Sequence, residues 1–472
     1  MIFSNIIPFL IQAFFILVLI YIIFKSIRLA FELYYSRHLR YLKITLPKAD
    51  SKLDKEKETK KDFKEKIGTM SMFYKAVHKL SEAGLRDTLL NTLFGHSKIA
   101  LELVYERGEV NFYIVTYENF VNLVSQHITS IYNDAEIKIV TKEDYITLKT
   151  IGYKMRAASL GKEHDDVYPI KTFKYLEDDP INNFTNVFGG LEKEDKAVYQ
   201  VVIKPVSSRW NKKALKAAGL VSKGKYKKTR NLSLITVLFK PLSILWNPLV
   251  ALIEGPEDMV NSGTNAPGAS EGDAYKIFNQ AETESQKIMG EAAAQPSFET
   301  SIRIIVASKT EKQARQAVHA IVAASSIFTD EYNNALDNPQ LYEDSFPWIF
   351  TPCRYFAFRH KLVGFFQNVS VFSTDEVSTL YHMPDINYNK SPIINWLEYK
   401  KLPPPHNLKM PHEPTMLEEK NPTTGEVSLV HRHLGGFPVY KDGILMGYNE
   451  YRNKKTPIYF NRKDRGRHHY II

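Results

Sequence analysis

The strongest constraint on this chain is an apolar run at its start. From Ile6 to Phe24 every residue is apolar except Gln12. At about 1.5 Å of rise per residue, a helix of that length comes close to the roughly 30 Å hydrocarbon core of a bilayer. The run therefore predicts a transmembrane anchor, with Ile6, Phe14, Leu19 and Phe24 along it. A cleaved signal peptide opens with positive charge and closes on small residues. Here no Lys or Arg precedes the run, and Tyr21, Ile22, Ile23 and Phe24 end it. Lys25, Arg28, Arg37, Arg40 and Lys43 follow at once. The positive-inside bias then predicts a single pass through the inner or plasma membrane, N-terminus outside and body cytoplasmic, with the lipid bilayer as first partner.

Beyond residues 1–41, the anchor and its basic flank, the pattern divides the 472 residues into further segments. Residues 42–92 read as a charged spacer. Residues 93–206 read as an α+β module. "IALELVYE" and "VNFYIVTY" have strand character and join at Arg107-Gly108-Glu109. "ENFVNLVSQHITSIYND" then places Phe120, Leu123, Val124, His127, Ile128 and Ile131 on one helical face, and "AEIKIVT" alternates again. Residues 298–385 repeat the strand–helix pattern with "ETSIRIIVAS" and "KTEKQARQAVHAIVAASSIF". The fold class expected is thus α+β: a transmembrane helix followed by ferredoxin-like, split β-α-β modules with an apolar and basic insertion. Residues 386–472 contain "KLPPPHNLKMPHEP" and read as a Pro-rich connector.

The insertion, residues 207–297, has its own composition. From Lys204 to Lys240 there are eleven Lys and Arg and no Asp or Glu, against a net charge of +10 for the whole chain. Arg209, Lys212, Lys213, Lys223, Lys225, Lys227, Lys228 and Arg230 are candidate contacts for anionic lipid or nucleic acid. Trp210 and Tyr226, interleaved among them, could stack on bases, but the adjacent apolar sequence makes lipid the better partner. Residues 232–253 are apolar but broken by Lys240, Pro241 and Pro248, which favours a segment lying in the membrane interface over packing on the core or spanning. "NSGTNAPGASEGD" follows as a flexible linker.

Catalytic patterns are scarce. No glycine loop of Walker or Rossmann spacing and no His-Glu-x-x-His is present. His431 and His433, or His468 and His469, are pairs without a third ligand. Cys353 is the one cysteine, which excludes disulfides within the chain. Asp165-Asp166 and Asp178-Asp179 read as solvated turns. The sequence implies no catalytic residue, no cofactor, no metal and no ATP binding.

Four segments carry a resemblance to a known family. They are "SKIALELVYERGEVNFYIVTYENFVNLVSQHITSIYNDAEIKIV", "PSFETSIRIIVASKTEKQARQAVHAIVAASSIF", "FSTDEVSTLYHMP" and "PIYFNRKDRGRHHYII". In this order they resemble the N-terminal, pre-ATPase region of type IV secretion coupling ATPases. In that family the last segment runs directly into a Walker loop, whereas this sequence ends at Ile472. The resemblance implies a hexameric DNA-pumping motor at the membrane, of which this chain carries only a non-catalytic front module for tethering and assembly. It also implies secretion-system subunits, a homo-oligomer and DNA as partners. A stand-alone membrane scaffold or adaptor is the alternative reading.

Overall fold

The structure, a computed structural model, describes residues 23–48, 63–80, 98–230, 280–337, 347–404 and 414–466, short gaps apart, together with Ile16, Leu19 and Ile20. A helix, α1 (residues 23–35), leads into β1 (Leu39–Thr45). Then come α2 (Phe63–Leu80), β2 (Ile99–Glu106), β3 (Glu109–Tyr117), α3 (Val121–Ile131) and β4 (Glu136–Val140). A second series follows: β5 (Lys154–Lys162), α4 (Ile181–Gly189), β6 (Lys196–Pro205), α5 (Ser208–Val221), α6 (Gln280–Ala294), β7 (Ser297–Ser308), α7 (Glu311–Ala324), β8 (Leu336–Asp337), α8 (Pro347–Arg359), β9 (Ser370–Ser373) and α9 (Thr374–Leu380).

These strands form one nine-stranded sheet in the order β4-β1-β3-β2-β6-β7-β5-β8, with β9 also on β7. Read outward from the centre, each series contributes its strands in the same order: second, third, first, fourth. The halves meet where β2 pairs antiparallel with β6, from Ile99 opposite Ile203 to Tyr105 opposite Ala197. The β2–β3 hairpin closes through Arg107 at φ 57° and Gly108 at φ 84°. Two successive positive-φ residues give the turn twist that matches paired strands. Near its start β7 pairs with β9, from Ser297 to Thr300, and further on with β5, from Ile302 to Ser308.

Aromatic rings fix which helices cover one face of the sheet. Phe112 meets Tyr381, Tyr199 meets Phe184 at 4.5 Å, and Phe298 meets Tyr74. The Tyr74 hydroxyl donates to the Tyr381 carbonyl at 2.7 Å, tying α2 to the end of α9. Residues 63–80, expected within a charged spacer, thus form an amphipathic helix that buries Ile67, Met70, Phe73 and Tyr74. On the opposite face Phe358 of α8 and the Tyr145–Leu148 segment pack on Ala100, Val104, Val198, Val202 and Ile305.

Two expectations are corrected. The fold is mixed α/β around one large antiparallel sheet, not a transmembrane helix followed by separate modules. Periodicity locates strands but not their partners, so the β2–β6 junction that merges the halves is invisible to it. Among the described residues, no helix is long and apolar enough to cross a membrane. The single-pass anchor, and the inner- or plasma-membrane placement built on it, are therefore not supported. The described helix after the apolar run is attached to the body by charge: Arg28 pairs with Glu32 at 3.2 Å, and Glu32 with buried Lys98 at 3.2 Å. Leu19 and Phe24 are exposed, while Ile6 and Phe14 lie outside the described residues.

The described residues of 397–472 belong to a second compact unit. Its described residues form three hairpins: β10 (Met416–Lys420) with β11 (Val427–His431), β12 (His433–Leu434) with β13 (Phe437–Pro438), and β14 (Gly443–Tyr451) with β15 (Lys454–Asn461). Tyr459 is buried, sets its ring edge-on to Tyr440 and donates to the Pro438 carbonyl.

The interior of the large sheet is not purely apolar. Glu102, Gln200 and Arg303 lie opposite one another on β2, β6 and β7, and all three are fully buried. Gln200 donates to Glu102 at 2.6 Å and accepts from the Arg303 guanidinium at 2.6 Å. Arg303 donates onward to Gln367 at 2.6 Å and to the Leu362 carbonyl. Tyr145 donates to the second Glu102 oxygen. Lys361 closes the network with its ammonium 2.6 Å from Glu102 and its other sides against the Phe358, Tyr145 and Tyr41 rings. Burial pushes the Lys361 ammonium down, against the pull of Glu102. Burial, with Arg354 nearby, lowers Arg303 to about 9.

Lys361 sits at φ 51° just past α8, where the Leu362 N–H reaches the Ala357 carbonyl at 2.9 Å and its own N–H reaches Phe358 at 3.2 Å. Glycine is the usual occupant of this helix-ending conformation. A lysine there costs about 1–2 kcal/mol, offset by the ion pair it delivers. Lys361→Met should leave the Glu102 carboxylate buried without its cation and destabilise the fold by roughly 3–5 kcal/mol in urea unfolding. Adding Glu102→Gln should recover a large part of that loss. A single Lys361→Met change costing under about 1 kcal/mol would show that the network is not structural.

Candidate polyanion-binding face

The basic insertion enters the described structure through α5. The chain leaves β6 at Pro205, and the Trp210 N–H reaches the Ser207 carbonyl at 2.9 Å. "SRWNKKALKAAGLV" is rich in Ala, Leu and Lys, which favour helix. Ala214 and Ala217 are buried. Ala217 packs with Met289 of α6 and with Val167 and Tyr168, while Trp210, Ala218, Val221 and Tyr226 flank that cluster. The Asn211 amide donates to the Ala293 carbonyl at 3.0 Å and to the Gln295 carbonyl, so α5 is bonded to the end of α6.

At 3.6 residues per turn, positions spaced three and four apart share a face. Arg209, Lys212, Lys213 and Lys216 have this spacing, and all four are exposed. α5 carries no Asp or Glu. Among the described residues none of the four is ion-paired; the Lys213 ammonium lies 5.3 Å from the Trp210 ring. The result is a one-sign stripe on the side of the helix away from its packing face.

The structure brings together Arg209, Lys212 and Lys213 of the residues expected from sequence. Lys216 joins them; its signal was the continued three–four spacing from Lys212 and Lys213. Lys223 is exposed just past the helix. Lys228 and Arg230 are instead held by the body. The Lys228 ammonium lies 5.4 Å from the Tyr168 ring, and burial lowers its pKa against the pull of Asp330 and Glu163. Arg230 pairs with Glu163 at 3.7 Å. Lys225, Lys227 and the apolar residues 232–253 lie outside the described residues.

Other candidates resolve differently. Asp179, expected in a solvated turn, is buried, 2.9 Å from His382 Nε2, and accepts the Ile181 N–H at 2.8 Å. The net effect holds its carboxyl below the usual range despite burial, through His382 and these hydrogen bonds. Lys162 pairs with Glu376 at 2.7 Å in the core, and Glu376 also completes the cap of α9 with Ser373. Burial raises the Cys353 thiol despite neighbouring Arg354. No cluster of three or more metal-ligating side chains occurs among the described residues.

Residues 56–396 match the model described as "Domain of unknown function (DUF8128)". The chain belongs to the DUF8128 family. The DUF8128 match ends at residue 396, where the first compact unit also ends, so it contains the whole α5 face. No curated protein matches the chain.

Asp166 gives this region a pH signature. Burial raises its carboxyl to about 6, against the pull of Lys162. A carboxyl that binds its proton more tightly in the folded state weakens the fold as pH rises from about 4 through about 6. Asp166→Asn should therefore stabilise the protein at pH 7 by roughly 1–3 kcal/mol and leave it unchanged at pH 4. Thermal melts at both pH values check this; a variant less stable at pH 7 would contradict it.

Proposed function

We propose that this chain is a non-catalytic binding and assembly module that holds a polyanion on the basic face of α5. The observation that carries the reading is the stripe of Arg209, Lys212, Lys213 and Lys216, exposed and without carboxylate partners among the described residues. Like-charged side chains on one face repel, and the arrangement is relieved when an anion neutralises it.

Support for a non-catalytic role comes from where the ionisable groups point. In the core Lys361 pairs with Glu102, Gln200 links Glu102 to Arg303, and His382 pairs with Asp179. An open cavity of about 370 Å³ is lined by Lys171, Tyr175, Ser285, Asp330, Tyr332 and Asn333 and takes in none of those groups. Asp330 there accepts the Tyr332 N–H at 3.1 Å and the Asn333 side-chain amide at 2.9 Å. The resemblance to the pre-ATPase region of coupling ATPases gives the module its setting: tethering and assembly beside a translocation motor.

Reversing Arg209, Lys212, Lys213 and Lys216 to Glu should weaken retention on immobilised heparin on the order of a hundredfold or more, since each cation near a polyanionic surface contributes roughly 1 kcal/mol. Equal retention of the two proteins would overturn the assignment. Calorimetric titration with Mg²⁺ and ATP should give no binding heat; stoichiometric, Mg²⁺-dependent binding would overturn the non-catalytic reading.

A further inference from the structure

The α5 face rests on the polyanion reading above, and its surroundings narrow the partner. We infer that it contacts the phosphate backbone of double-stranded nucleic acid without reading sequence. A lipid surface is the first alternative. Amphipathic helices that bind membranes keep an apolar face free to enter the acyl boundary. On α5 that face is already occupied: Ala214 and Ala217 are buried and Trp210 is half-buried. Leu215 is the large apolar side chain of α5 that stays exposed.

Single-stranded nucleic acid is the second alternative. Its sequence-tolerant binding relies on aromatic faces on which bases stack. Both aromatics of the basic segment are engaged. Trp210 flanks the Met289 cluster and has Lys213 over its ring. The Tyr226 hydroxyl donates to Asp165, and its ring lies 6.3 Å from Tyr168. No described aromatic of α5 stands free beside the cations.

Base reading requires a fork such as Asn on adenine or Arg on guanine. Asn211, the amide-bearing side chain on α5, is bonded to the Ala293 and Gln295 carbonyls on the far side from the stripe. What faces outward is three ammonium groups and one guanidinium. Lysines act as point charges toward phosphate. From Arg209 to Lys216 the helix rises about 10 Å, which spans about six phosphates of a duplex at one charge per roughly 1.7 Å of axis. The match is to charge density, not to a base pattern.

The experiment is fluorescence anisotropy of the full chain with two unrelated 20-base-pair duplexes, across salt, beside co-sedimentation with phosphatidylserine–phosphatidylcholine vesicles. Four neutralised phosphates predict a log–log salt slope near −3.6, or about a hundredfold loss between 50 and 200 mM salt. The two duplexes should bind alike. Changing all four cations to Gln should flatten the slope and abolish most of the affinity, and Lys216→Gln alone should reduce the slope by about 1. Both are surface changes, and an unchanged circular dichroism melt confirms that the variants fold. Binding to vesicles but not to duplex would overturn this inference and leave the polyanion reading standing. Binding to neither would overturn both. A tenfold or greater preference between the duplexes, or duplex affinity unmoved in the four-Gln variant, would also overturn it.

Discussion

The sheet depends on a buried row of polar groups at its centre. Glu102, Gln200 and Arg303 face one another across β2, β6 and β7, and Lys361 neutralises Glu102 from above. An unpaired charge at these positions would cost several kcal/mol of desolvation. The row therefore disfavours other registers of these strands, because a one-residue slip would move Glu102 and Arg303 to the opposite face, away from Gln200 and Lys361. Apolar strands with only Val, Ile and Leu inside could pair in several registers. These are constrained to one, and the two halves of the sheet are joined at the point where the row passes from β2 to β6.

That junction also explains where the insertion sits. β6 ends on α5 and α6 leads into β7, so the basic segment departs and returns between two neighbouring central strands. The sheet can pair β6 with β7 along their whole length only if the intervening chain is accommodated at one end. α5 and α6 pack on each other there, through Ala217 and Met289. Packing fixes which side of α5 is inward, and so turns a basic composition into a basic face. Lys228 and Arg230, close by in sequence, are lost to that face because Tyr168 and Glu163 hold them.

A second family of buried charges shows the same logic at the margin of the sheet. Glu376 pairs with Lys162, caps α9 through Ser373 and accepts the Ile170 N–H at 2.9 Å. One carboxylate thus locks a helix start, a strand end and a connecting loop together. His382 and Asp179 do likewise for the segment after α9. Asp179 has its carboxyl held below the usual range by His382 and its hydrogen bonds despite burial, and a displaced pKa alone does not mark a catalytic centre.

Much of the local structure was legible in the residues. The alternation in "VNFYIVTY", the tight Arg107-Gly108 turn and the apolar spacing of residues 311–324 each correspond to an element whose cause is local. The stripe of Arg209, Lys212 and Lys213 was legible too, because helical spacing and charge both lie in the sequence. The apolar run at the start was misleading: hydropathy records composition alone, and among the described residues no helix is long and apolar enough to cross a membrane. The charges set among apolar strand residues, Glu102 in "IALELVYE" and Arg303 in "SIRIIVAS", were visible but unassignable. Their partners lie 98 and 103 residues away at Gln200, and in a lysine past the end of α8. The sequence by itself determined where helices, strands and excess positive charge would be, since these depend on neighbours within a few residues. Tertiary structure alone decided that two strand series share one sheet, which charges are buried in it and which remain exposed, because those outcomes depend on contacts between residues far apart in the chain.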